Sequence, residues 1–160
     1  MNILFLTRLY YPHIGGVEKH VREVSKRLLK RGHEVKIITE KFDPNLKRLE
    51  IIDGIEVHRV PPGDKWSTWK WMEENKQLLD WADVIHAHDV YFWLIPYKLL
   101  NPFKKTFVTF HGWEGKYPVP YKNIVVRKIS EWLANGNICV GDYISKWYGT
   151  KADFVIYGGV

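Results

Sequence analysis

Short apolar runs alternate along this chain with stretches whose apolar positions recur every three or four residues. The run 2–7 (NILFLT) is rich enough in branched residues to be a buried strand. Val17, Val21, Val24 and Leu28 follow at four-three-four spacing, one face of a helix that ends near Gly32. Residues 34–39 (EVKIIT) read as a second strand, so one β-α-β unit is complete within forty residues. Two alternating runs within 49–60 are joined by Asp53-Gly54, a hairpin signal. A helix is predicted over 68–80, with Trp71, Leu78 and Ala82 toward its buried side. Strands follow at 83–88 and 105–110, with a short helix bent near Pro96 between them. A helix over 123–134 places Val125, Ile129 and Trp132 on one side. A strand at 137–141, a short helix opened by Asp142 and a run at 153–157 complete the pattern. The expectation is an α/β domain with a doubly wound, mainly parallel sheet of six or seven strands and helices on both faces.

The chain's 160 residues give room for one domain spanning 1–160. With 46% hydrophobic and 26% charged residues, a folded domain is expected, and the net charge of +6 suits an anionic partner. Cys139 is the single cysteine, which excludes an internal disulfide and points to a reducing cytoplasm. No apolar run approaches spanning length, and the N-terminal ILFL is too short for a signal segment. Two long loops stand out, 61–67 and 111–122. The second carries too many aromatic and charged residues to be a mere connector.

In such sheets ligands bind beyond the carboxyl ends of the strands, so the residues just after each strand are the candidates. These are Arg8, Tyr11, His13, Gly15 and Gly16 after the first strand, and His88 and Asp89 after the strand at 83–88. His111, Gly112, Trp113 and Glu114 follow the strand at 105–110. Gly15-Gly16 at a helix start can hold phosphate on bare N–H groups, or can be a tight turn. The dinucleotide fingerprint G-x-G-x-x-G is absent. His86 and His88 share one strand face and admit a metal reading with His111, or a structural one. His111 can bond a sugar hydroxyl or move a proton, or simply cap the next segment. Trp113, Tyr117 and Tyr121 can stack on a sugar or lipid, or be buried.

The stretch YYPHIGGVEKHVREVSKRLLKRGHEVKIIT resembles the opening of family 4 retaining glycosyltransferases of the GT-B fold, with its F-x-P-x-x-G-G-x-E and R-G-H-E-V words. DVIHAHD, TFHG and the hairpin IIDGIEVHRVP fall in matching places, so the resemblance covers essentially the whole chain. It implies a Rossmann-like, acceptor-binding N-terminal domain facing a second domain that binds the nucleotide sugar. It further implies that Gly15-Gly16 approach the donor diphosphate and that His111 acts near the reacting sugar carbon. Transfer would retain configuration, without a metal or a permanently bound cofactor, the nucleotide-diphosphate sugar being the donor substrate. Arg8, Tyr11, His13, His88, Asp89, Gly112, Trp113 and Glu114 are then the acceptor- or sugar-binding set. The family's paired glutamates and base-binding groups do not occur here, and the final VIYGGV resembles its interdomain junction V-I-P-N-G-V. The expectation is that sugar transfer requires a C-terminal domain in cis or trans.

Two other functions remain open on sequence. One is a non-catalytic module that binds carbohydrate or nucleotide. The other is a small metal-dependent hydrolase using His86, His88, Asp89 and His111. The acceptor is expected to be a glycan, a lipid or a small molecule, with no nucleic-acid partner. Lys26, Arg27, Lys30, Arg31, Lys104 and Lys105 suit docking on an anionic membrane surface, or form a solvated face.

Overall fold

The computed structural model describes residues 1–112 and 118–157. Eight strands form a single sheet: β1 (Asn2–Thr7), β2 (Glu34–Glu40), β3 (Leu49–Ile52), β4 (Ile55–Val60), β5 (Val84–His88), β6 (Thr106–Phe110), β7 (Gly136–Val140) and β8 (Phe154–Ile156). Their spatial order is β3-β4-β2-β1-β5-β6-β7-β8, all parallel except the β3–β4 hairpin. This is the doubly wound parallel sheet expected, with eight strands rather than six or seven because both hairpin arms and Phe154–Ile156 join it. The hairpin turns through Asp53 (φ 52°) and Gly54 (φ 80°), a left-handed pair that follows the strand twist.

Period-2 alternation distributes each strand between two cores. Leu4, Leu6, Ile38 and Ile85 face one side, packed with Leu79, Tyr91 and Leu94. Phe5, Val35, Ile37, Ile55 and Val57 face the other, where α1 (Gly16–Lys30) covers them with Val21, Val17, Val24 and Leu28. The helix expected over 68–80 is two, α2 (Lys65–Glu74) and α3 (Lys76–Trp81). Asn75 divides them: its side chain and its backbone N–H both donate to the Trp71 carbonyl, at 2.8 and 3.0 Å. A 3-10 turn over Tyr91–Leu94 runs into α4 (Ile95–Leu100), and Pro96 sits harmlessly in that helix's first turn.

The helix α5 (Tyr121–Leu133) departs from the usual amphipathic logic. Arg127 and Ser130 are its buried residues, whereas Ile129 and Trp132 are exposed, Trp132 to 78%. The short α6 (Asp142–Tyr148) closes the set. Among the described residues no helix is long and apolar enough to cross a membrane. Of the basic residues singled out above, Lys26 pairs with Asp53 at 3.1 Å and Lys104 donates to the Asp80 carbonyl at 3.1 Å.

Candidate functional site

The winding reverses at β1, which has β2 on one side and β5 on the other. Beyond the carboxyl ends of β1, β5 and β6, where a doubly wound sheet opens a crevice, lies a cavity of about 680 Å³. Arg8, His88, Asp89, His111 and Gly112 of the candidate residues line it. The walls also include Glu18, Glu40, Lys65, Phe92, Trp93 and Arg127, which sequence reasoning did not single out.

His111 is fixed from three directions. Its backbone N–H donates to Asp89 Oδ1 at 3.0 Å, and its carbonyl accepts from the Tyr143 hydroxyl at 2.8 Å. Its ring Nε2 lies 2.7 Å from His88 Nδ1. Asp89 reaches that position by taking a left-handed φ of 61°, a conformation aspartate tolerates better than most residues. With Nε2 engaged, Nδ1 is the nitrogen His111 can offer a ligand.

Four imidazoles form a column on the α1 side of the sheet. His86 and His88 stack with centroids 4.6 Å apart, and His20 of α1 meets His88 and His111 edge-on at 5.8 and 5.6 Å. His86 Nε2 is 2.7 Å from Thr109 Oγ1. Burial pushes His86 and His111 down to about 4, with neighbouring histidines adding to the effect. His88 lies well below the ordinary histidine value and His20 is lowered too, both chiefly by burial. All four rings are therefore neutral at pH 7. His88 Nε2 is buried without a partner. A bare lone pair is tolerated there better than an orphaned N–H, so we assign the His88 proton to Nδ1, donating to His111. His111 then carries its own proton on Nδ1, as a neutral donor.

The two glycines have different surroundings. Gly15 precedes α1 in extended conformation (φ −156°), and a methyl on it would collide with Glu18 Oε2. The space is filled by the helix's own glutamate, whose other oxygen is 2.9 Å from His13 Nδ1. Around Gly16 there is nothing within 4 Å of such a methyl, so its backbone is open. Tyr11 and His13 are not among the residues that line the cavity. The Arg22 guanidinium lies 4.9 Å from the Tyr11 ring, and His13 packs edge-on against Phe42. Trp113 and Glu114, with Tyr117, lie outside the described residues. The metal reading finds no ligand set: among the described residues no group of three His, Cys, Asp or Glu is arranged to hold an ion.

Residues 14–160 match the family model of Glycosyltransferase Family 4. An uncharacterized glycosyltransferase of Methanocaldococcus jannaschii is 36% identical over 99 residues, covering 56% of this chain and 25% of that protein. The phosphatidylinositol N-acetylglucosaminyltransferase GPI3 subunit of Saccharomyces cerevisiae is 37% identical over 60 residues, 38% of this chain and 13% of its own. Among solved structures, sucrose-phosphate synthase of Thermosynechococcus elongatus superposes with a TM-score of 0.73 at 16% identity, over 98% of this chain and 47% of its own. HepE of Anabaena, solved with UDP and glucose, superposes with a TM-score of 0.65 at 17% identity, over 100% of this chain and 45% of its own. The structural likenesses carry the fold. The chain spans just under half the length of these solved relatives, and a quarter or less of the two sequence relatives.

Proposed function

Because the chain belongs to glycosyltransferase family 4, we propose that it forms the acceptor-side half of a retaining glycosyltransferase cleft of the GT-B kind. The donor is a nucleotide-diphosphate sugar held mainly by a second domain, in cis or in trans. The acceptor enters the cavity between β1, β5 and β6. The observation that carries this reading is the three-point clamp on His111, which holds its ring at the wall of the crevice where a substrate of this fold would lie, with Nε2 committed to His88.

In this reading the His111 Nδ1–H donates to an oxygen of the donor sugar as positive charge develops at the reacting carbon. A neutral donor suits that moment, since an imidazolium there would oppose the developing charge. Gly16, with its exposed backbone at the N-terminus of α1, approaches the leaving diphosphate. The Glu18 carboxylate folded over Gly15 repels that diphosphate, so it must swing aside as the donor arrives. Arg8, Asp89 and Gly112 bind acceptor or sugar hydroxyls, and Trp113 and Glu114 join that set from the sequence alone. The work is placed in the cytoplasm, with Arg27, Lys30, Arg31 and Lys105 facing a membrane when the acceptor is lipid-linked.

The test compares the 160-residue chain alone with the same chain combined with a nucleotide-sugar-binding domain. Turnover of nucleotide sugar is expected only in the combination, with retained anomeric configuration in the product. Turnover by the isolated chain would overturn the division of labour.

A further inference from the structure

A second recess adjoins the cavity beyond the carboxyl ends of β1 and β2. Its volume is about 380 Å³, and Leu9, Phe42, Pro44 and Pro62 supply its apolar walls, with Lys41 also lining it. Arg8, Leu9 and Glu40 line both spaces, so the two are neighbours that share a wall. On that wall Arg8 Nε lies 3.4 Å from Glu40 Oε2. The Arg8 side chain is 75% exposed, and an ion pair so open to water is weak, so a ligand parts it at little cost.

The apolar walls are held in place by the protein itself. The Lys41 N–H donates to the Val60 carbonyl at 2.8 Å, which ties the segment after β2 to the end of β4, just before Pro61 and Pro62. Asp43 closes a turn around Pro44: its Oδ1 accepts from the Asn45 N–H at 2.8 Å and its carbonyl from the Leu46 N–H at 3.2 Å. Phe42 is braced by His13, edge-on at 5.6 Å, and His13 Nδ1 is 2.9 Å from Glu18 Oε1. Despite this bracing the Phe42 side chain stays partly open to water. An aromatic ring fixed in an apolar hollow and still wet gains free energy when a ligand covers it, with little ordering left to do.

We infer that this recess is an aglycone subsite, which seats an aromatic group carried by the acceptor. The hydroxyl-bearing part of the acceptor occupies the larger cavity beside Asp89 and His111, and the aromatic part passes the Arg8–Glu40 pair to lie against Leu9 and Phe42. Four apolar side chains favour such a group over the donor's diphosphate, which Glu40 would also repel. The inference rests on the acceptor-side reading above and narrows the acceptor's chemical class, but it is tested by binding alone.

The 160-residue chain is titrated by NMR with phenyl β-glucoside and with methyl β-glucoside, as wild type, Phe42→Ala and Phe42→Leu. Wild type is expected to bind the phenyl probe about fivefold more tightly than the methyl probe, the scale of one partly covered ring. Proton–proton contacts from the phenyl group should reach Leu9 and Phe42. In Phe42→Ala the two probes should bind alike, whereas Phe42→Leu, which keeps an apolar wall, should retain a preference between the two extremes. The leucine variant also serves as the readout if the alanine variant melts early. Equal binding of the probes by wild type, binding of neither, or a preference that survives in both variants would overturn the proposal. Phenyl contacts to Phe92 and Trp93 would place the ring in the larger cavity and overturn it as well. Absent turnover in the completed enzyme with the phenyl preference intact would fault the transferase reading and leave the recess standing.

Discussion

His88 Nδ1 and His111 Nε2 lie 2.7 Å apart, one ring 2% exposed and the other at the cavity wall. The buried ring thus engages Nε2 of the outer ring. On the proposed transferase reading, His88 is a positioning residue and His111 the group that touches sugar.

Long-range proton–nitrogen NMR on the 160-residue chain should find the His111 proton on Nδ1 and the His88 proton also on Nδ1. In the enzyme completed by its second domain, His88→Phe should lower kcat about tenfold with little change in KM. The scale is that of one hydrogen bond of ~1–1.5 kcal/mol lost from an oriented donor. A His111 proton found on Nε2 would refute the assignment.

The histidine column sets a pH dependence. His86 and His111 titrate near 4 in the folded chain, against an ordinary value of 6.5, and His20 and His88 are lowered as well. Between those values the unfolded chain binds more protons than the folded one, so stability rises with pH. The contribution is complete above about pH 6.5 and is lost as pH falls toward 4. Urea unfolding at pH 7.5, 6.0 and 5.0 should show midpoints falling steadily. A flat profile across that interval would mean the rings are not buried neutral.

Gly16→Ala separates folding from function. The site has open space and sits at the first position of α1, so alanine should stabilise the chain by up to ~1 kcal/mol through the unfolded state. On the proposed reading the same methyl intrudes where the diphosphate approaches, so donor affinity of the completed enzyme should drop severalfold. Unchanged donor affinity would remove Gly16 from the site.

Arg59, with its side chain fully buried in β4, pairs with Glu50 and donates to the carbonyls of Lys47 (3.1 Å) and Tyr11 (2.8 Å). It anchors the segment leading to Gly15. Arg59→Met should cost about 3 kcal/mol in urea unfolding, the low end for a broken buried pair because Glu50 can rehydrate. A loss under 1 kcal/mol would show that packing alone holds that segment.

The strands and α1 were legible because their apolar periods are set by burial on one or both faces, as at Leu4, Phe5 and Leu6 or Val17, Val21 and Val24. The rim could be located for the same reason, since strand ends fix where His88, Asp89 and His111 emerge. Arg127 was not legible. It sits mid-helix among apolar neighbours, and nothing local says that the charged residue turns inward while Trp132 turns out. His20 was missed similarly, because its partners come from β5 and the residue after β6. The break at Asn75 depends on one side chain competing for a carbonyl, a choice that apolar periodicity does not register.

The strand β8 carries a cost of its own. Phe154, Val155 and Ile156 are all exposed, held by three residues of pairing with β7 and by the Gly141 N–H donating to the Ile156 carbonyl at 2.8 Å. An edge this short and greasy should fray before the rest of the sheet, giving it the fastest amide exchange of any strand. While frayed or bare, it also offers an adhesive margin to a second molecule at high concentration, so handling the chain dilute is a matter of physics rather than caution.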